Sequence, residues 1–234
     1  MTMIMESRQQ QLLQFIIEEY IKTAQPVGSS LIAEKYMTDI SSPTVRNEMQ
    51  ELERQGYIRA PHTSAGRIPT EKGYRFYIEN ILANKELSAK RQETLSEIVK
   101  DSGQLEDGVK FLAKKIAELA NEAVLIAFSP NNVYHTGLSN VFSKPEFMSH
   151  DLVLSLSQVF DHLDEAMAQV RTDSEDEVSI LLGSENPFGD ECGSIVATFE
   201  FNNQRAMIGI LGPMRMDYGN NIAFVKFIKK LLEN

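Results

Sequence analysis

Apolar residues near the start of the chain recur at helical spacing. One face of a helix over about 6–23 carries six of them, namely Leu12, Leu13, Ile16, Ile17, Tyr20 and Ile21. Pro26 and Gly28 then interrupt the pattern, and Ser29 or Ser30 can cap a short second helix. The pattern therefore predicts two helices that are separated by a tight connection.

A third helix is predicted over about 43–55. Ser42 is a suitable N-cap, Pro43 suits the first helical position, and Gly56 ends the helix. The apolar residues of this helix recur at i, i+4 and i+7 and are expected to face the core: Val45, Met49 and Leu52. The polar residues are expected to project outward: Thr44, Arg46, Asn47, Gln50 and Arg54.

Two short strand-like segments, 57–60 and 67–70, follow the third helix and can pair as a hairpin. The residues between them include Pro61 and Gly66, which favour a loop, and Thr70 can cap a fourth helix. Helix, turn, helix and hairpin in this order are typical of a winged helix, in which one helix enters the DNA major groove and the wing follows the backbone. The first third of the sequence therefore indicates a DNA-binding regulator.

The second half of the chain predicts a different kind of domain. Helices are expected near 108–121, over 151–170 and over about 220–232. Strands are expected over 123–128, 178–182, 194–201 and 206–211. This order indicates an α+β fold with an antiparallel sheet. We therefore expect a winged helix-turn-helix domain over 1–82, a helical connector and linker over 83–107, and an α+β domain over 108–234.

The formal net charge is −10, but the acidity is concentrated in the second half of the chain. Residues 1–80 carry nine basic and ten acidic side chains, whereas the remaining residues carry 14 basic and 23 acidic ones. Between Ser42 and Arg75 the local balance is +2. Since DNA-binding domains are usually basic, this distribution permits DNA binding but does not demonstrate it.

The predicted third helix and the hairpin loop carry side chains that suit DNA. Arginine, asparagine and glutamine can hydrogen-bond to base edges, and threonine can contact a methyl group or a phosphate. In the loop, His62, Thr63, Ser64 and the backbone near Gly66 offer small donors. Gly66 and Arg67 are expected at the tip of the hairpin, where Arg67 can reach a phosphate or the minor groove. Taken alone, a solvated helix face or an ordinary hairpin loop also explains each feature. Their combination, in this order and spacing, favours DNA binding.

At several places the sequence resembles the HrcA family of heat-inducible transcription repressors. In the first half, the similar runs are 27–29, 41–49, 52–53, Gly56, 61–70 and 73–75. In the second half, they are 136–140, 145–147, 183–186 and 212–218. The resemblance implies a repressor of chaperone operons that binds an inverted-repeat operator as a homodimer and depends on the chaperonin GroEL to stay active. It also implies a GAF-like second domain that has no established small-molecule ligand.

The resemblance further implies DNA contacts by six residues: Thr44, Arg46, Asn47, His62, Thr63 and Arg67. The residue patterns described above add Gln50, Ser64 and Gly66. One departure concerns assembly, because family members usually carry an inserted dimerisation domain between the strand at 123–128 and the motif at 137–140. Only the segment from Ser129 to Thr136 lies there in this chain. We therefore expect a weaker homodimer than is usual for the family, and the shortening leaves room for a reduced GAF-like sheet.

The sequence contains few signals for other classes of function. The one cysteine, Cys192, excludes an intramolecular disulfide and a cysteine-based metal site, so a reducing, cytoplasmic environment is expected. Neither a leader peptide nor an apolar run of about 18 residues is found, so secretion and membrane spanning are not expected. Since no phosphate-binding loop or nucleophile elbow occurs, we predict no enzyme activity, catalytic residue, metal or cofactor.

Two alternatives to a stress repressor stay open. A ligand-sensing regulator would use a metabolite-binding GAF-like domain to control DNA release, and a small molecule that raised the melting temperature would favour it. A protein-interaction module would keep the winged-helix fold without binding an operator. The intact wing sequence argues against this second alternative.

Overall fold

The computed structural model describes residues 5–62, 65–102, 106–170 and 178–233. Contacts within the chain divide it into two compact units, Met1–Ala83 and Asn84–Asn234. The boundary falls at the start of the segment for which the sequence predicts a connector. The first unit is mainly helical, and the second combines helices with a five-stranded sheet.

The described residues of the first unit form four helices and one short hairpin. The helices are α1 (Ser7–Thr23), α2 (Ser29–Lys35), α3 (Ser42–Arg54) and α4 (Glu71–Asn80). The hairpin consists of β1 (Ile58–Arg59) and β2 (Ile68–Pro69), which pair antiparallel with Ile58 opposite Pro69. This order of elements confirms the predicted winged helix.

The apolar faces of α1 and α3 pack against each other in the core of this unit. Their fully buried members are Leu12, Leu13, Ile16, Ile17, Val45 and Leu52. Full burial of one such side chain contributes roughly 1.5–3 kcal/mol to stability, so the cluster fixes the orientation of α3 within the unit. As a consequence, the polar face of α3 is turned towards solvent.

The start of α3 differs by one residue from the prediction. Ser41, not Ser42, is the N-cap, and its Oγ accepts a hydrogen bond from the backbone N–H of Thr44 at 3.4 Å. Ser41 has an extended backbone, with φ −75° and ψ 151°, as an N-cap requires. Ser42 already belongs to the helix. By contrast, Thr70 caps α4 as predicted, because its Oγ1 accepts from the N–H of Gly73 at 3.1 Å.

The described residues of the second unit form six helices, two 3-10 turns and five strands. The α-helices are α5 (Ala89–Ser102), α6 (Glu106–Ala120), α7 (Leu138–Phe142), α8 (His150–Asp161), α9 (Leu163–Gln169) and α10 (Tyr218–Glu233). The 3-10 turns are Pro145–Met148 and Gly183–Glu185. The strands are β3 (Ala123–Ser129), β4 (Asn132–Thr136), β5 (Ser179–Leu182), β6 (Cys192–Phe201) and β7 (Gln204–Pro213).

These strands form one antiparallel sheet in the order β4-β3-β7-β6-β5. On one face, a core cluster joins Ala123, Leu125 and Leu211 of the sheet to side chains of α7, α8 and α9. Side chains alternate between the two faces of a strand, and α6 and α10 also pack on the sheet. Helix α5, which occupies much of the predicted connector, packs against α6 and α10. The predicted α+β fold is thus confirmed.

The sheet includes an edge strand, β4, that the sequence did not predict. It pairs with β3 through a short turn and places Ala127 opposite Val133. This edge strand is half-exposed and mixes apolar with polar residues, so it has no clear periodicity. A plain hairpin therefore occupies the position at which the family resemblance implies an inserted domain.

The predicted helix over 151–170 is wrong as a single element. It consists of α8 and α9, separated at His162, whose φ of −122° and ψ of 41° are not helical. The buried residues Leu156, Leu163 and Met167 nevertheless keep close to helical spacing across the break. Because the spacing continues, the periodicity of apolar residues could not show that the helix is interrupted at His162.

Candidate nucleic-acid interface

The outer face of α3 carries the side chains predicted to contact DNA. Thr44, Arg46, Asn47 and Gln50 are all exposed, while Val45, Met49 and Leu52 of the same helix are buried. The separation follows from helical periodicity, since residues three and four apart share one face. The prediction about which side of this helix is free is therefore confirmed.

The two arginines of α3 differ in what they bind. Arg54 donates to Glu51 from Nε at 2.8 Å and from Nη2 at 2.6 Å. This contact, followed by the Gln55 amide, lowers the pKa of the Glu51 carboxyl to about 2. Within the described ranges, no carboxylate is paired with Arg46. Arg46 therefore offers an uncommitted positive charge on the outer face, and Arg54 does not.

Polar contacts hold α3 against the other helices of the unit. The hydroxyl of Ser42 lies 3.1 Å from that of Ser29 and 3.2 Å from that of Ser30, both at the start of α2. Arg8 of α1 forms an ion pair with Glu48 of α3. These contacts connect α3 to both preceding helices, so its outer face is presented by a fixed scaffold.

A second polar cluster fastens α2 to α1. The carboxylate of Glu19 is buried and accepts hydrogen bonds from Lys35, at 2.8 Å, and from the hydroxyl of Tyr36. The bond from Lys35 is the main reason why the pKa of Glu19 lies below its usual value. The Tyr36 ring also stacks on Phe15, with ring centroids 4.8 Å apart.

A groove of about 430 Å³ lies between the start of α2, the outer face of α3 and the base of the wing. It brings together four predicted site residues: Arg46, Gln50, Gly66 and Arg67. Ser29 and Ser30 also line it. The prediction that one of them caps α2 is wrong, because the N-cap is Gly28 and both serines lie within the helix. Thr44 and Asn47 lie on the same helix but do not line this groove. The spacing of polar residues in α2 could not show that the two serines line the groove, because their position there depends on how α2 packs against the wing.

The loop of the wing is only partly described. His62 is exposed, as expected for a residue that meets a partner. Thr63 and Ser64, both predicted to contact DNA, lie outside the described residues. Arg59, at the end of β1, is exposed as well, and it adds a positive charge to the wing.

Gly66 lies at the base of the wing and not at a free tip. Its neighbour Arg67 forms two backbone hydrogen bonds with Val27, at 2.9 and 2.8 Å, which attach the wing to the connection between α1 and α2. A Cβ atom on Gly66 would approach the carbonyl carbon of Val27 to 2.6 Å. Glycine is thus required here for close packing.

Arg67 also differs from the expected picture of a cation at the wing tip. Its Nε donates to Oε2 of Glu53 at 2.9 Å, and its Nη1 donates to the carbonyl oxygen of Ala65 at 3.2 Å. The Arg67 side chain is only 23% exposed. Glu53, which sequence reasoning did not single out as a site residue, therefore holds the guanidinium at the wing base.

The family-like motifs of the second unit serve its internal structure. The amide of Asn140 donates to the carbonyl oxygens of Ala117 and Glu122, at 3.0 and 3.1 Å. The buried amide of Asn186 donates to the hydroxyl of Ser194 at 3.0 Å. These side chains satisfy backbone and side-chain groups within the unit, as buried polar groups must.

Charged residues at one end of this sheet form two ion pairs. Glu122 is buried beside Lys144, with 2.5 Å between Oε1 and Nζ, and burial raises its pKa to about 7 against the opposing effect of Lys144. Arg215 pairs with Glu146. Asp217 accepts a hydrogen bond from the N–H of Asn220 at 3.1 Å at the start of α10.

The remaining candidate chemistry is limited. Cys192 is buried, and burial raises the pKa of its thiol to about 12, so it is an unreactive thiol. No cluster of potential metal ligands occurs among the residues that the structure describes. In the same ranges, no helix is long and apolar enough to cross a membrane. A mostly apolar cavity of about 500 Å³ lies between the β3–β4 hairpin, α9 and β7. A small molecule could occupy this space, and the ligand-sensing alternative stays a prediction.

Two family profiles match the chain and together span nearly all of it. The profile described as "Winged helix-turn-helix transcription repressor, HrcA DNA-binding" matches residues 4–84. The profile described as "HrcA protein C terminal domain" matches residues 70–222. Each unit of the structure is therefore matched over most of its length.

Individual proteins show the same similarity. The heat-inducible transcription repressor HrcA of Carboxydothermus hydrogenoformans is 25% identical, with 98% of this chain and 97% of that protein covered. The protein of the same name from Acetivibrio thermocellus is 41% identical over 127 residues, which are 53% of this chain and 36% of that protein. The first alignment spans 334 positions, against 234 residues in this chain, so a substantial part of that relative has no counterpart here.

A solved structure has the same overall fold. The crystal structure of a hypothetical protein at 2.2 Å resolution matches with a TM-score of 0.75 and covers 98% of this chain and 96% of its own. Because the two sequences are only 19% identical, this likeness shows the fold alone.

Proposed function

The chain belongs to the HrcA family of heat-inducible transcription repressors, and we propose that it represses chaperone operons by placing α3 in the major groove of an inverted-repeat operator. The observation that carries this proposal is the outer face of α3. That face presents an uncommitted arginine beside two amide side chains, and the wing is fastened to the same helix. This combination suits both base readout and backbone contact.

Each proposed contact has a chemical role. Arg46 and Asn47, near the start of α3, read base edges, because the first turns of a recognition helix approach the bases. Thr44 and Gln50 contact a phosphate or a further base edge. On the wing, His62, together with Thr63 and Ser64, meets the DNA backbone. Gly66 and Arg67, which the sequence also predicts to contact DNA, lie at the wing base.

We propose further that the protein acts as a homodimer. An inverted repeat presents two half-sites about one helical turn apart, roughly 34–36 Å, so two recognition helices must be held together. The short β3–β4 hairpin stands where family members usually carry their inserted dimerisation domain. Dimerisation must then use other surfaces, and we expect it to be weaker than is usual for the family and tightened by the operator.

The dependence on the chaperonin GroEL is a proposal that rests on family membership alone. Such a dependence would couple repression to the supply of free chaperonin.

The decisive test compares two DNA duplexes at one salt concentration. One carries the inverted repeat found upstream of the chaperone operon in the source genome, and the other carries the same bases in scrambled order. Specific proteins typically bind their sites about 10³-fold or more tightly than other DNA at physiological salt. Equal affinity for the two duplexes, measured by fluorescence anisotropy or gel shift, would refute the proposed function.

A further inference from the structure

We infer that Glu53 is the positioning residue that sets the wing against the recognition helix, and that Arg67 acts as its partner instead of as a phosphate contact. The inference rests on the proposed function, because the position of the wing matters only if the wing meets DNA. The family resemblance implies instead that Arg67 contacts DNA. The contacts of both side chains decide between the two.

Glu53 lies in the last turn of α3 and uses both carboxylate oxygens on the wing. Oε1 accepts a hydrogen bond at 3.0 Å from the backbone N–H of Ala60, just after β1. Oε2 accepts from Arg67, just before β2, with Nε at 2.9 Å and Nη2 at 2.8 Å. One carboxylate on the recognition helix thus bridges both strands of the hairpin.

Arg67 is held from several directions at once. Besides Glu53, its guanidinium contacts the carbonyl oxygen of Ala65 through Nη1 at 3.2 Å. Its backbone N–H and C=O bond to Val27 at 2.8 and 2.9 Å. To reach a DNA phosphate, the side chain would have to leave an ion pair in which two of its nitrogens share Oε2 of Glu53 and only 23% of its surface is exposed. Hydrogen bonds between charged partners are roughly twice as strong as those between neutral ones.

The two roles predict opposite effects of neutralising Glu53. If Arg67 contacted a phosphate, the Glu53 carboxylate would compete for it and repel the DNA backbone, so Glu53→Gln would tighten operator binding. If Glu53 positions the wing, Glu53→Gln breaks the bridge and weakens binding. The amide has one oxygen where the carboxylate has two, so it can accept from Ala60 or from Arg67 but not from both at once. Because its shape is the same, the unit is expected to fold.

The same helix supplies a matched control. Glu51 also lies on α3 and forms an ion pair, but its described partners are Arg54 and Gln55, not the strands of the wing. Glu51→Gln removes the same charge from the same helix. It therefore reports the general electrostatic effect of losing one carboxylate near DNA.

The experiment measures operator affinity and its salt dependence for the full chain and its variants. Glu53→Gln and Arg67→Ala are each expected to weaken operator binding about 5- to 20-fold, and the double variant is expected to be no weaker than either alone, because the pair acts as one unit. Arg67→Lys keeps the charge but not the fork geometry, so it is expected not to restore affinity. Glu51→Gln is expected to bind at least as tightly as the original chain.

A second readout needs no DNA. Hydrogen exchange of the Ala60 amide, which bonds to Glu53, is expected to speed up in Glu53→Gln and Arg67→Ala, while the buried amides of α3 keep their protection. Unchanged exchange at Ala60, or tighter operator binding by Glu53→Gln with rescue by Arg67→Lys, would overturn the inference. If the original chain itself does not prefer the operator, the proposed function fails, and the exchange data still decide whether Glu53 holds the wing.

Discussion

A Cβ atom on Gly66 would lie 2.5 Å from the carbonyl oxygen of Val27. The wing therefore crosses the connection between α1 and α2 at a distance that only glycine allows. Gly66→Ala is expected to destabilise the first unit by about 2–3 kcal/mol, because the methyl group meets backbone atoms that cannot rotate away. Thermal or urea unfolding, followed by a probe in this unit, measures the loss.

Gly28→Ala is the matched control for this change. Gly28 belongs to the same connection, and a Cβ atom there would have no neighbour within 4 Å. It is the N-cap of α2, where alanine is a poorer residue, so a loss below about 1 kcal/mol is expected. Equal destabilisation by the two substitutions would show that the close approach of Gly66 is not what stabilises the wing.

Arg46 provides a test of direct base readout. Arg46→Ala is expected to weaken operator binding by about 1–3 kcal/mol and to narrow the gap between operator and scrambled DNA. Arg54→Ala removes the same charge from the same helix, but Arg54 is already bound to Glu51 and is expected to matter less. Titration of both variants with both duplexes makes the comparison. An equal loss on operator and scrambled DNA would identify Arg46 as a phosphate contact instead.

Glu122 is expected to make the stability of the second unit depend on pH. Burial raises its pKa from 4.5 to about 7. A carboxyl whose pKa is higher in the folded state binds its proton more readily there, so it stabilises the fold below pH 4.5 and loses that contribution as the pH rises through 7. Between pH 5 and pH 8, the original chain is expected to lose about 1–3 kcal/mol more than Glu122→Gln, which cannot ionise.

Denaturant unfolding at several pH values measures this difference. Glu118→Gln is a suitable control, because Glu118 is exposed and its ion pair with Lys115 lies at the surface. That variant is expected to keep the pH profile of the original chain. If the Glu122→Gln profile runs parallel to the original as well, Glu122 is ionised throughout, and Lys144 outweighs the effect of burial.

The sequence predicted the winged helix well because its signals are local. Caps such as Thr70 and the buried spacing of Val45 and Leu52 depend on neighbours within one or two turns, and both were read correctly. The choice of Ser41 over Ser42 was missed because adjacent serines compete for one cap. In the structure, the hydroxyl of Ser41 accepts the cap hydrogen bond from Thr44, whereas the hydroxyl of Ser42 contacts α2.

Features that depend on the fold were out of reach. Glu53 and Arg67 are 14 positions apart, and no spacing rule brings a helix end to a hairpin base. Sequence reasoning placed Arg67 at the wing tip for this reason. In the second unit, the break at His162 was missed because the apolar residues keep helical spacing across it. The edge strand β4 was missed because its residues do not alternate between apolar and polar.

The shortened β3–β4 connection gives the last prediction, which concerns assembly. Family members usually dimerise with the help of an inserted domain, and here Ser129 and Asn132 are paired directly across the turn of a hairpin. We nevertheless expect a homodimer, because the outer face of α3 would serve little purpose on a chain that could engage only one half-site. Self-association of the chain in the absence of DNA is expected to be weak, so monomers are expected at low protein concentration.

Operator DNA should shift this equilibrium, because each half-site raises the effective concentration of one chain next to the other. Sedimentation velocity at several protein concentrations, with no DNA, with a half-site duplex and with the full inverted repeat, separates the species. We expect two chains on the full repeat, one on the half-site, and a gain in affinity from the second half-site. A chain that stays monomeric on the full repeat, with no such gain, would refute the homodimer. The missing insertion would then have changed the stoichiometry of repression itself, since a single winged helix would have to hold the operator with contacts to one half-site alone.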